Sequence, residues 1–290
     1  MKRSWVVGPG SCQTIALLAL FSVACGGTSS SGPAAPTAPT VSSTLTAPIA
    51  TVPAFTPAQV DGGQLLTDQN AVAFLPAGIA QYKVAIVFLP GLRDPATGND
   101  LDSRALVNGA PGGACSIWCS PAEKAEVRSR ALKLAEGNVA LIGTTTLMDT
   151  PASHDRLIQA LSNFGTQSQH PELANIPIFF VGHSQGGCTA YGFSRVHGAR
   201  VAGFLTMKGG CHSPAPPAAA VNVPGYFLIG ALDEPHRRDN ITAVFNAGRA
   251  AGAPWTLSTD PFHHGPIVDF ALMFNWIDAV LAARLPVMSR

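Results

Sequence analysis

The sequence predicts an α/β fold: a mostly parallel sheet with helices on both faces. Three observations carry that prediction. Short apolar runs rich in Val, Ile, Leu and Phe are bounded by Gly and Pro, and segments of helical period lie between them. Buried strands that alternate with helices in this way belong to parallel sheets covered on both sides. The chain of 290 residues is 47% hydrophobic and only 12% charged, which is ample for a large core and excludes disorder of the whole chain. With a net charge of +1 it carries no basic field to hold nucleic acid.

The elements follow in order. Residues 71–75 and 83–89 are apolar, β-leaning runs separated by Pro76-Ala77-Gly78. Residues 121–136 have helical spacing in Ala125, Leu132 and Ala135, and Gly137 ends them. A short apolar strand follows at 138–143. Residues 151–167 are helical, with Pro151 at the first position and Leu157, Leu161 and Phe164 on one face. The run 176–181 is a strand, and a helix continues from it to about His197. Strands are expected at 201–207 and 223–230, and helices at 240–251 and 266–284. No internal repeat is visible.

The chemistry is concentrated at Gly182-His183-Ser184-Gln185-Gly186-Gly187, between the strand at 176–181 and its helix. A serine in a Gly-x-Ser-x-Gly turn between strand and helix sits on strained backbone that lifts its hydroxyl clear. The helix that starts there aims its N–H groups and positive end at the same point. A serine hydroxyl also needs a base, and the base an orienting acid. Asp233 follows the strand at 223–230, with Glu234 and Asp239 as rivals for the acid. His263 and His264 compete for the base; the glycine after His264 favours it. His183, inside the turn, reads as a packing residue.

Ser, acid, His in that chain order, with the elbow, Gly230-Ala231-Leu232-Asp233 closing a strand and His264-Gly265 before the last helix, resembles the α/β-hydrolase family. The resemblance spans about residues 71–283 and is nearest the compact esterase and dienelactone-hydrolase-like members. It implies Ser184 as nucleophile, Asp233 as acid and His264 as base. It implies an oxyanion hole from the backbone N–H groups of Gln185 and Leu92. Pro90-Gly91-Leu92 stands where many members show His-Gly; the other reading is a plain turn. Family members with a large helical cap insert it where only residues 208–222 are available here, so an open cleft without a large cap is expected. Trp118 and Phe262 either line an acyl pocket or pack the rim loops.

The N-terminus stands apart. Lys2 and Arg3 precede a short apolar run at 15–24, too short to cross a bilayer and shaped like a secretory signal. Cys25 follows at once, and the junction resembles a bacterial lipobox, although Ser22 stands where leucine is usual. The two readings are a lipid anchor on Cys25, which tethers the protein to a membrane, and an ordinary cleaved signal. Residues 28–57 are Ser, Thr, Ala and Pro with almost no charge, a linker. The organisation expected is a signal over 1–25, a linker over 26–60 and a folded domain over 61–290.

Of six cysteines, Cys12 and Cys25 fall in the signal region. Cys115, Cys119, Cys188 and Cys211 allow three pairings in an exported chain; Cys188–Cys211 with Cys115–Cys119 is the pairing expected. A zinc site on these residues is a poor match in spacing. The expected activity is therefore that of an exported serine hydrolase acting on small-molecule or polymeric carboxylic esters, without cofactor or metal. Serine at the elbow argues against dehalogenase chemistry. The competing functions are a polyester or polysaccharide-ester depolymerase and a non-catalytic surface lipoprotein that keeps the fold.

Overall fold

The computed structural model describes residues 58–60, 62–92, 103–108, 117–118, 120–213 and 218–288. The candidate signal, residues 26–57 of the linker, Cys25, Cys115 and Cys119 lie outside them; residues 58–60, expected as the end of the linker, instead pair with residues 63–65 as a strand of the sheet, so the folded domain reaches back at least to Ala58. Among the described residues one sheet of nine strands runs in the order β1-β2-β3-β5-β4-β6-β7-β8-β9. The strands are β1 (Ala58–Val60), β2 (Gly63–Thr67), β3 (Ala71–Pro76), β4 (Val84–Leu89), β5 (Val139–Thr144), β6 (Ile178–His183), β7 (Val201–Met207), β8 (Gly225–Gly230) and β9 (Trp255–Asp260). β1, β2 and β3 pair antiparallel, as do β3 and β5; from β5 to β9 every pairing is parallel.

Every residue of β4, β5, β6, β7 and β8 is buried, which is why these strands read as continuous apolar runs. Their alternation feeds two cores. Ala85, Val87 and Leu89 join one, with Leu161 and Phe164 of α3 (Pro151–Ser168), Phe193 of α4 (Gln185–His197) and Val244 of α6 (Pro235–Ala250). Val84, Ile86 and Phe88 join the other, with Leu106 of α1 (Arg104–Asn108), Val127 of α2 (Pro121–Ala131) and Ile277 of α7 (Phe270–Met288). The α/β-hydrolase architecture read from the sequence is thus present, with helices on both faces. Between β7 and β8 the described residues hold only the short α5 (Ala218–Val221), so no large cap stands there.

The structure departs from the sequence reading in several places, beginning with β1, β2 and α1, which were not expected. The helix expected over 121–136 opens on a Ser120–Glu123 capping box but stops at Ala131; Ala135 and Glu136 adopt φ of 47° and 59°, which no helix accommodates. The helix expected at 240–251 begins at Pro235, whose fixed φ suits a first turn. The last helix begins at Phe270, where the Asp269 carboxylate accepts the Leu272 N–H at 2.9 Å and caps it, and it runs on to Met288. β9 was not expected either: it is only partly buried, and Thr256, Ser258, Thr259 and Asp260 break the apolar run that marked its neighbours.

Candidate active site

Ser184 follows β6 and opens α4 with φ 53° and ψ −121°. A non-glycine residue held there costs on the order of 1–3 kcal/mol, which the surroundings must fix in place. They do so by contact. A side chain at Gly182 would strike the Gly186 backbone, and one at Gly186 would strike the carbonyls of Leu89 and Pro90. The end of β4 is therefore pressed onto the first turn of α4, and only glycine permits it. The Ser184 N–H continues the ladder to the Met207 carbonyl at 2.8 Å. Gln185 is the first residue of α4, so its N–H has no acceptor within the helix. Thr146 Oγ1 donates to the Gly91 carbonyl at 2.7 Å and holds the Pro90-Gly91-Leu92 turn that follows β4.

Asp233 ends a tight turn after β8. Its N–H donates to the Gly230 carbonyl at 3.0 Å, and the Leu232 N–H donates to Phe262 at 3.1 Å. The turn is thereby locked to the loop after β9, which carries His264. His264 Nδ1–H donates to Asp233 Oδ2 at 2.8 Å, and its Nε2 lies 2.9 Å from Ser184 Oγ. The carboxylate can only accept, which puts the proton on Nδ1 and leaves Nε2 free to receive one from the serine. Three residues from three strand ends thus form one hydrogen-bonded line. Asp233 Oδ1 is also occupied, by the Glu234 N–H at 2.8 Å and by Arg237 at 3.1 Å. Burial pushes this carboxyl up; the donors around it, His264 first, outweigh burial and hold it below the usual range.

The rivals stand aside. Glu234 and Asp239 are exposed. His263 is exposed and donates to the Leu232 carbonyl at 2.8 Å. Trp118 is buried, donates to the Ile267 carbonyl at 2.7 Å and stacks edge-on against Phe88 and Phe270, so it packs the loop. Phe262 is exposed. Cys188 and Cys211 form the expected disulfide, with Cα atoms 5.6 Å apart.

Two supports escaped the sequence reading. His183 is buried, as a packing residue should be, but it also donates from Nε2 to the His264 carbonyl at 2.7 Å. Burial, with the neighbouring His264, pushes its pKa down to about 3, so it stays neutral and braces the loop at any ordinary pH. Lys208, fully buried and at φ 54°, follows β7 and approaches Asp260 at the end of β9 to 2.9 Å. The pair is close without being aligned as a hydrogen bond. Asp260 Oδ1 accepts the Phe262 N–H at 3.1 Å, so the pair anchors the start of the loop that carries His264. A lone lysine after a strand gives no sequence signal of its distant partner.

No family model matches the chain, and no curated protein sequence matches it. Solved structures do. The chain is similar to a ferulic acid esterase, at 13% identity over 75% of this chain and 90% of that one, with a TM-score of 0.46. It is similar to an acyl-protein thioesterase 2 of Zea mays, at 15% identity over 73% and 98% of the two chains, with a TM-score of 0.44. It is similar also to the esterase PE8, at 14% identity over 72% and 96%, with a TM-score of 0.46.

Proposed function

We propose that this protein is a serine hydrolase that cleaves carboxylic esters through an acyl-enzyme intermediate. The observation that carries the reading is the line Ser184–His264–Asp233, with contacts of 2.9 and 2.8 Å, at the N-terminus of α4. In this reading Ser184 Oγ attacks the ester carbonyl carbon and its proton passes to His264 Nε2. The carbonyl oxygen takes the electron pair and is held by the N–H groups of Gln185 and Leu92. The carbonyl re-forms, the C–O bond to the alcohol breaks, and His264 returns its proton to the departing oxygen. Water then attacks the acyl-serine, losing its proton to His264 Nε2, and the acid leaves as Ser184 regains that proton. Asp233 keeps the imidazole in one tautomer and stabilises the imidazolium.

Ester substrates suit the set because an alkoxide leaving group needs one proton, and one proton donor stands beside the serine. The exported location belongs to the same proposal. A Cys188–Cys211 disulfide is at home in an oxidising compartment.

The test is a fluorophosphonate probe together with p-nitrophenyl acetate. The probe should modify Ser184 alone, and Ser184→Ala should lower turnover by about 10⁴- to 10⁶-fold with the fold intact. Modification of another serine, or turnover unchanged by Ser184→Ala, would refute the reading.

A further inference from the structure

Exposed large apolar side chains occur on the loops at the carboxyl ends of the strands, and they flank Ser184 on both sides. Leu92 after β4 is 46% exposed and Met148 after β5 is 44% exposed. Leu232 after β8 is 57% exposed and Phe262 after β9 is 46% exposed. In the sheet order β5-β4-β6-β7-β8-β9, Leu92 and Met148 fall on one side of the elbow strand, Leu232 and Phe262 on the other. With strands about 4.8 Å apart, the two pairs lie roughly 5–15 Å to either side of Ser184.

Each pair is held as a unit. Thr146 Oγ1 donates to the Gly91 carbonyl at 2.7 Å, and Thr189 of α4 donates to the Leu147 carbonyl at 2.6 Å. The first bond ties the loops of Leu92 and Met148 to each other, and the second ties the Met148 loop to α4. On the other side Leu232 N–H donates to the Phe262 carbonyl at 3.1 Å, and the Phe262 ring rests 5.9 Å from Lys208 Nζ. A single exposed apolar residue needs no explanation, but a grouping around a reactive serine does.

We infer that the substrate is an ester apolar on both sides of its carbonyl, its alcohol part lying over Leu232 and Phe262 and its acyl part over Leu92 and Met148. The inference rests on the serine-hydrolase reading. The polarity of placement follows from proton transfer. His264 must reach the leaving oxygen to protonate it, so the alcohol lies toward the loop that carries His264, and Phe262 is in that loop. The acyl part then points the other way, toward the loops after β4 and β5. Small acetyl esters of polar alcohols would leave both pairs uncovered.

The test compares two ester series, each used below its solubility limit. p-Nitrophenyl acetate and octanoate differ only in the acyl part; methyl and hexyl butyrate differ only in the alcohol. Wild type should favour the longer member of each series in kcat/KM. Met148→Ser should lower the octanoate-to-acetate ratio by about five- to tenfold and leave the hexyl-to-methyl ratio in place. The double variant Leu232→Ser/Phe262→Ser should do the reverse. Val196→Ser, an exposed apolar residue at the far end of α4, should move neither ratio. Titration with the fluorophosphonate probe counts competent sites in each variant, so partial unfolding cannot mimic a change of ratio.

Probe-reactive Ser184 with no preference for the longer esters, or variants that shift the wrong ratio, would overturn the inference and leave the hydrolase reading standing. Ser184 inert to the probe and inactive on all four esters would overturn both. Variants that change the mass of the particle in solution while both ratios hold would show a self-association face and would also overturn it.

Discussion

The protein holds two histidine–aspartate pairs of similar geometry and opposite circumstance. His264 meets Asp233 at 2.8 Å, and His154 meets Asp149 at 3.1 Å. The second pair is local, formed within the loop and first turn of α3. His154 is only 3% exposed and lies edge-on against Phe193 and His197, and its Nδ1 is buried without a hydrogen-bond partner among the described residues. The first pair is assembled from the ends of β8 and β9. His264 is 31% exposed, and its far nitrogen reaches Ser184. The bond between imidazole and carboxylate is common to both, so it cannot by itself be what would activate Ser184 in the proposed mechanism. What differs is the third partner and the access of water, and both follow from the parallel sheet, which gathers the ends of non-adjacent strands on one rim.

The comparison breaks most sharply on mutation of the two histidines. His264→Ala should lower ester turnover by about 10⁴- to 10⁶-fold with the melting temperature nearly unchanged. His154→Ala should leave turnover within about twofold and destabilise the fold by about 2–3 kcal/mol, since it empties a packed site. Ester kinetics and calorimetry on the two variants separate these outcomes. Equal losses of turnover would mean that the local pair belongs to the site.

The next effect concerns what holds the His264–Asp233 pair in place. Lys208→Met strips the buried partner from Asp260 and should destabilise the protein by about 3–5 kcal/mol, because a carboxylate with little solvent access is left uncompensated. Lys208→Met/Asp260→Leu should recover much of that loss. Turnover should fall in the single variant as well, since Asp260 opens the loop that carries His264. Urea unfolding read beside ester turnover decides it.

Acid probes the buried histidines. His212 is buried, bonded to Thr206 and Asn240, and burial pushes its pKa down to about 4. The unfolded imidazole keeps its ordinary pKa near 6.5 and so binds a proton that the folded one refuses. Stability is therefore full above about pH 6.5 and is lost as pH falls toward 4, by about 3 kcal/mol for this residue. His183, with a pKa of about 3, adds loss over the same window and below it. His212→Gln should flatten the fall in melting temperature between pH 6.5 and 4. A slope equal to wild type would assign the acid sensitivity elsewhere.

Much of this was legible in the chain, for physical reasons. β4, β6, β7 and β8 are buried on both faces, so their sequences are apolar throughout and announce themselves. The Gly-rich turn at Ser184 is visible because the crowding between Gly186 and the end of β4 admits no other residue. Asp233 and His264 could be singled out because they stand just after strands, where the rim must be, and because their chain order and Gly265 resemble a known family; the structure brings both into one hydrogen-bonded line with Ser184. β9 escaped because it is only partly buried and most of its residues are polar. The helix over 121–136 was overextended because left-handed geometry at Ala135 and Glu136 leaves no mark in residue type. Lys208 with Asp260, and His183 with the His264 carbonyl, are pairings across the fold, and no local spacing encodes them.

The smallest effect tests how the His264–Asp233 pair is tuned. Arg237 lies 3.1 Å from Asp233 Oδ1 and is the charge nearest the carboxylate on the side away from His264. Among the influences that hold the Asp233 carboxyl low, His264 and the Glu234 N–H precede it. Removing the guanidinium therefore leaves Asp233 ionised and still bonded to His264 Nδ1. Arg237 is also partly exposed, so water can replace its bond, and a partly exposed ion pair contributes about 1 kcal/mol or less. Arg237→Met should thus reduce kcat by about fivefold at most, with KM nearly unchanged. The depressed Asp233 carboxyl stabilises the fold above its unfolded pKa near 3.9 and loses that contribution as pH falls through the lower folded value. Losing Arg237 raises the folded value toward the unfolded one, so the variant should unfold in acid slightly earlier than wild type. A fall in kcat of several hundredfold would instead make Arg237 part of the apparatus that orients His264, and the contrast with the Asp149 pair would then extend to the far side of the carboxylate.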